Sequence, residues 1–162
     1  MPYPTRADLG GLLRALIQAK LEFVVVGGTA AVLHGAPTST YDLDIVHRRT
    51  EENVNRFLAV LGALDAIVRE PTARRLRPTK IILMGPGQLL MSTNLGPLDA
   101  LGTLHDGRGF DELIGLTVQI GEGDASMNVI DLDTLIEVKL AAGRTKDKLL
   151  VPILLALKKT EK

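Results

Sequence analysis

Two aspartates separated by one residue, Asp42-Leu43-Asp44, form the first pattern in this chain that can do chemistry. On an extended strand, residues i and i+2 share a face, which sets the two Cβ atoms about 7 Å apart at roughly 3.3 Å of rise per residue. Carboxylate oxygens are hard ligands, so the pair suits Mg²⁺ or Mn²⁺, and Mg²⁺ keeps several waters and completes its shell with substrate phosphates. Upstream lies Val26-Gly27-Gly28-Thr29-Ala30, with thirteen residues between Gly28 and Asp42. Paired glycines at a strand end permit close backbone approach, and a helix starting there aims free N–H groups at an anion. Phosphate on Gly27, Gly28 and Thr29 and metal on Asp42 and Asp44 would together hold a metal–nucleotide. Each half also has an ordinary reading, since a Gly-Gly turn can simply join strand to helix and acids alternate with apolar residues on half-buried strands. The combination is sharper than either half because both features fall on adjacent strands of the chain.

Other chemistries are excluded. Without cysteine there are no disulfides, thiolate zinc sites, iron–sulfur clusters or cysteine nucleophiles. His34, His47 and His105 share no metal-ligand spacing and read as surface or loop histidines. Neither a Gly-x-x-x-x-Gly-Lys-Ser/Thr phosphate loop nor a Gly-x-Ser-x-Gly elbow occurs.

The succession of hydrophobic residue, Gly-Gly, short helix and Asp-hydrophobic-Asp resembles the nucleotidyltransferase superfamily that shares a palm-like fold with DNA polymerase beta, especially its minimal bacterial members. Such enzymes use a third carboxylate on a neighbouring strand, and Asp99, within Leu95-Gly96-Pro97-Leu98-Asp99-Ala100-Leu101, is the matching candidate. Lys139-Leu140-Ala141-Ala142 followed by Arg144-Thr145-Lys146-Asp147 looks like a region of nucleotidyltransferase-like proteins related to abortive-infection toxins. The resemblance spans roughly residues 22 to 150. It implies transfer of a nucleoside monophosphate from a nucleoside triphosphate to an acceptor hydroxyl with release of pyrophosphate. Asp42, Asp44 and Asp99 would hold Mg²⁺ or Mn²⁺, Gly27, Gly28 and Thr29 would contact phosphate, and Lys139 would add a second phosphate contact. Asp147 reads instead as a partner of Arg144 or Lys146, or as a helix cap.

Two departures keep an alternative open. Thr38 stands where many relatives carry an arginine, and Gly28 where some carry a serine. The alternative is a catalytically degenerate nucleotide-binding or regulatory protein, one component of a toxin–antitoxin pair with a cognate partner protein. The acceptor, whether small molecule, protein or RNA end, is not specified by the sequence. The RNA reading has one motive, the basic residues Arg69, Arg74, Arg75, Arg77 and Lys80 together with Lys158, Lys159 and Lys162.

The elements that must position these residues follow from periodicity. Helical spacing of Leu9, Leu12, Leu13, Leu16 and Ile17 predicts a helix capped by Thr5 and running to about Lys20. Phe23 to Val26 reads as a buried strand, Ala30 to Leu33 as a short helix and Tyr41 to Val46 as a second strand. Thr50 caps a helix, and Arg69 to Lys80 reads as a loop or broken helix. Lys80 to Met84, Gln88 to Ser92 and Leu95 to Leu101 read as strands, Asp111 to Ile114 as one helical turn. Leu116 to Ile120 and Ser126 to Ile130 flank a hairpin turn. Asp131 or Asp133 caps a helix that Gly143 ends, and Leu149 to Leu157 is the last helical segment, with Pro152 inside it. This order predicts an α/β (α+β) fold, a mixed sheet with flanking helices, and the resemblance specifies the nucleotidyltransferase fold. One domain over residues 1–162 is expected, with 131–162 as C-terminal helices packed on it.

Composition agrees. The 162 residues are 46% hydrophobic and 23% charged, enough apolar surface for one core. Lys plus Arg equals Asp plus Glu at 19 each, so no overall field draws the molecule to a polyanion. No stretch approaches the roughly 20 apolar residues of a membrane span, and the N-terminus lacks a signal-peptide core, so a cytoplasmic protein without membrane contact is expected.

Overall fold

The computed structural model describes residues 3–69 and 75–160. Helix α1, Leu9–Gln18, leads into strand β1, Phe23–Val26, which runs directly into α2, Gly27–Leu33. Strand β2, Leu43–His47, is followed by α3, Glu51–Ala63, and by a two-residue strand β3, Ile67–Val68. Helix α4, Lys80–Met84, precedes the antiparallel pair β4, Gln88–Thr93, and β5, Gly96–Leu101. One helical turn, α5, Phe110–Leu113, precedes the hairpin β6, Thr117–Ile120, and β7, Met127–Ile130. Helices α6, Leu132–Ala142, and α7, Thr145–Thr160, finish the chain and pack on each other.

The sheet has seven strands in the order β3-β4-β5-β2-β1-β7-β6. The pairs β2 with β5 and β1 with β7 are parallel, and the others are antiparallel. All four residues of β1 are buried, as the unbroken run of Phe and Val requires at the centre of a covered sheet. Helix α2 packs on β1, β2, β7 and α6, and α3 packs on α1 and α4. Leu12 and Leu16 of α1 and Phe57 and Leu61 of α3 supply fully buried side chains. Asn53 pins α3 to the ends of β1 and β2: its side chain accepts from Glu22 N and donates to Glu22 O and Arg48 O. Among the described residues, no helix is long and apolar enough to cross a membrane.

The mixed sheet with flanking helices is as expected, and several elements differ in detail. The cap of α1 is Asp8, whose side chain accepts from Gly11 N, so the cap lies three residues beyond Thr5 and the helix starts at Leu9. Lys80 to Met84 is a helix, not a strand: the Thr79 hydroxyl accepts from Ile82 N and starts the turn, and only Leu83 is buried. A continuous apolar run carries no period, so it cannot distinguish a short strand from a short helix. His47 is not a surface histidine. It is buried on β2, with Nε2 2.7 Å from Leu83 O and its ring edge-to-face with Phe57, and burial pushes its pKa down.

Candidate active site

The site forms where β1 ends, α2 begins and β2 enters the sheet. Asp44 lies opposite Val26 of β1 and, on its other side, opposite Asp99 of the parallel strand β5. Neighbouring strands are about 4.8 Å apart and residues in register point to one face, so Asp44 and Asp99 are forced together by the backbone. Asp42 precedes β2 instead of lying in it, and is held by two hydroxyls: Thr29 Oγ1 donates to Asp42 O at 3.0 Å and Thr40 Oγ1 at 3.1 Å. Each of the three carboxylates places an oxygen within 4.8 Å of the others. The three candidate acidic residues therefore converge.

The glycines are explained by the same cluster. Gly27 has φ +65°, and a Cβ there would lie 2.4 Å from Asp44 Oδ2. A Cβ on Gly28 would meet Thr40 Oγ1 at 3.0 Å. The missing side chains thus admit Asp44 and Thr40 to the start of α2. Thr29, expected to contact phosphate, is instead fully buried, with its hydroxyl on the Asp42 carbonyl, so it presents no surface to a ligand and serves to hold Asp42.

Electrostatically the cluster is short of positive charge. Burial, then the neighbouring charge of Asp42 and the proximity of Asp99, push Asp44 up to about 8, while the positive charge of Lys139 pulls in the opposite direction. Burial likewise raises Asp99, which sits at about 6 because Arg69 opposes the effect. Arg69 Nη2 donates to Asp99 Oδ1 at 2.7 Å. A divalent cation is what such a set of hard oxygen donors accepts, and Asp42, Asp44 and Asp99 fit one.

Lys139 is buried on α6 and lies 3.1 Å from Asp147 Oδ1, so its ammonium stands between the acidic cluster and a second carboxylate. Asp147 pairs with Arg144 as expected, and with Lys139 instead of Lys146. Thr38 is exposed in the loop between α2 and β2. Of the basic residues, Arg77 pairs with Asp65, Lys80 with Glu51 and Lys158 with Asp133, and Arg75 lies over the Tyr3 ring. Arg74 and Lys162 lie outside the described residues. Sequence reasoning missed Arg69 and Thr40 as site residues. Arg69 was visible only as one member of a basic run, and Thr40 only as a loop hydroxyl beside Asp42.

No protein-family model and no curated protein matches the chain. Solved structures do. A putative nucleotidyltransferase from Thermotoga maritima is similar at a TM-score of 0.56 and 16% identity, over 92% of this chain and 93% of that one. A lincosamide antibiotic adenylyltransferase, LnuA, with lincomycin bound, is similar at a TM-score of 0.64 and 11% identity, over 94% of this chain and 99% of that one. With likeness along nearly the whole length of both neighbours, the chain has the nucleotidyltransferase fold.

Proposed function

We propose that the protein is a metal-dependent nucleotidyltransferase that moves a nucleoside monophosphate from a nucleoside triphosphate to an acceptor hydroxyl and releases pyrophosphate. The observation that carries this reading is the convergence of Asp42, Asp44 and Asp99 within 4.8 Å on the sheet of a nucleotidyltransferase fold. When bound there, Mg²⁺ or Mn²⁺ supplies positive charge to the triphosphate and to the attacking and leaving oxygens. Asp42 and Asp44 would hold the cation, and the half-buried backbone of Gly27 and Gly28 would face the phosphates. The acceptor oxygen forms a bond to the α-phosphorus as the bond to the β-phosphate oxygen breaks, and its electron pair leaves on pyrophosphate. Asp99 completes the cation site and receives the acceptor proton. Lys139 contributes positive charge to the phosphates from its place between Asp44 and Asp147.

The test is transfer of label from α-³²P nucleoside triphosphates with Mg²⁺ or Mn²⁺, offering small hydroxylated molecules including lincomycin, cell protein and RNA ends as acceptors. Labelled acceptor and unlabelled pyrophosphate are expected, and Asp42→Asn should abolish both products, a drop of at least about 10³-fold for loss of a cation ligand. In parallel reactions with γ-³²P nucleoside triphosphates, transfer or release of label from the γ-phosphate without any transfer from the α-phosphate would replace the reading with a kinase or hydrolase. A second reading, a nucleotide-binding regulator with a cognate toxin–antitoxin partner, is favoured by the engagement of Lys139 with Asp147 and by Thr38. Nucleotide retained without transfer to any acceptor selects it.

A further inference from the structure

Arg69 belongs to the same row of the sheet as the acidic residues. Its N–H donates to Leu90 O one residue beyond β3, Leu90 pairs with Asp99, and Asp99 pairs with Asp44. Residues in register point to one face, so the Arg69 side chain passes over β4 to reach β5. It is held there at two points: Nη1 donates to Met91 O at 2.8 Å and Nη2 donates to Asp99 Oδ1 at 2.7 Å. With its backbone also in the ladder, Arg69 is a fixed strut anchored on three acceptors.

We propose that Arg69 is a positioning residue for the third carboxylate, a role that rests on the transferase reading above. The guanidinium commits Oδ1 of Asp99 and leaves the other oxygen for the side shared with Asp42 and Asp44. Asp99 then offers a bound cation a single oxygen in one orientation. The fixed guanidinium charge also offsets part of the negative charge that the three carboxylates bring together. Arginine is required for this because its planar fork serves two acceptors at once, whereas a lysine ammonium is a point charge on a flexible stem.

The experiment compares Arg69→Met and Arg69→Lys with the wild type, each checked by circular dichroism and melting. Mn²⁺ binding without nucleotide is measured by calorimetry, and kcat and KM for nucleotide by label transfer. Arg69→Met removes a positive charge close to the cation and should bind Mn²⁺ about tenfold more tightly, while kcat falls by about 10- to 100-fold with KM for nucleotide within about threefold of wild type. Arg69→Lys should keep wild-type Mn²⁺ affinity and still lose most of the turnover. A role confined to holding β3 in place would lower stability without tightening Mn²⁺. The proposal is overturned if folded Arg69→Met binds Mn²⁺ no more tightly, or if Arg69→Lys turns over at the wild-type rate. If the wild type binds Mn²⁺ but transfers nothing, the transferase reading fails on its own, and the Mn²⁺ affinities of the two variants still decide whether the guanidinium charge acts at the cation site.

Discussion

Two carboxylates in this molecule, one buried and one half-buried, sit in opposite surroundings. Asp147, at the start of α7, is wholly inaccessible and held by Lys139 at 3.1 Å and Arg144 at 2.7 Å. Burial alone would raise its pKa, but the hydrogen bonds and charges of Arg144 and Lys139 prevail and hold it below the ordinary value. Asp44 is half-buried beside Asp42 and Asp99, with no ion pair of its own among the described residues, and is pushed up to about 8. One acid joins α7 to α6, and the other is kept poor in positive charge. Lys139 is shared between them, touching the first and acting on the second through its charge. The difference separates an ion pair that is complete within the chain from an acidic cluster that could hold a cation, where the carboxylates lack a matching positive charge.

Breaking the first region should have the largest effect on stability. Asp147→Asn leaves the buried Lys139 ammonium without its counter-charge and should cost about 3–5 kcal/mol in urea denaturation. A loss under about 1 kcal/mol would remove Asp147 from this structural role.

The second region predicts a change of opposite sign. Asp44 and Asp99 have raised pKa values, about 8 and about 6, so between about pH 4 and 8 the folded protein binds more protons than the unfolded chain. Stability in EDTA should therefore fall as pH rises through that window. Asp147, with a lowered pKa, contributes stability that is lost only as the solution becomes acidic below its unfolded value. Asp44→Asn should flatten the fall and leave the metal-free protein about 2 kcal/mol more stable than wild type at pH 8. The extra melting temperature conferred by Mn²⁺ should vanish in this variant. A metal-free wild type that gains stability from pH 5 to 8 would contradict the charge-poor site.

The smallest effect is a test of the turn that admits Asp44. Gly27→Ala places a Cβ on a residue with positive φ and against Asp44 Oδ2, so a loss of about 1–2 kcal/mol is expected. In the double variant with Asp44→Asn, part of the cost should remain, because the positive φ is unchanged. Equal stability of Gly27→Ala and wild type would show that the turn relaxes away from the carboxylate.

The row that builds the site shows how far local pattern reaches. Asp42, Asp44 and the Gly-Gly turn were legible because a strand period and a strand-to-helix transition are set within a few residues. The hairpin of β6 and β7 and the end of α6 at Gly143 were legible for the same reason, and the structure chose Asp131 over Asp133 as the N-cap. Asp99 required the resemblance, since nothing in its own neighbourhood says that β5 pairs in parallel with β2. Arg69 was hidden because β3 has only two residues, too few to show a period. The helix at Lys80 to Met84 was misjudged because its consecutive apolar residues suit either structure.

By itself, then, the sequence determined the mixed order of strands and helices, the paired aspartates, and the turn that precedes them. These depend on torsional preference, hydrophobic period and hydrogen bonds between residues near in the chain. The tertiary structure alone decided that Asp99 stands opposite Asp44, that Arg69 reaches Asp99 across β4, and that Lys139 is tied to Asp147. Register between distant strands and the pairing of buried charges are settled when the whole sheet and its helices pack at once, because each contact depends on the burial that the others create.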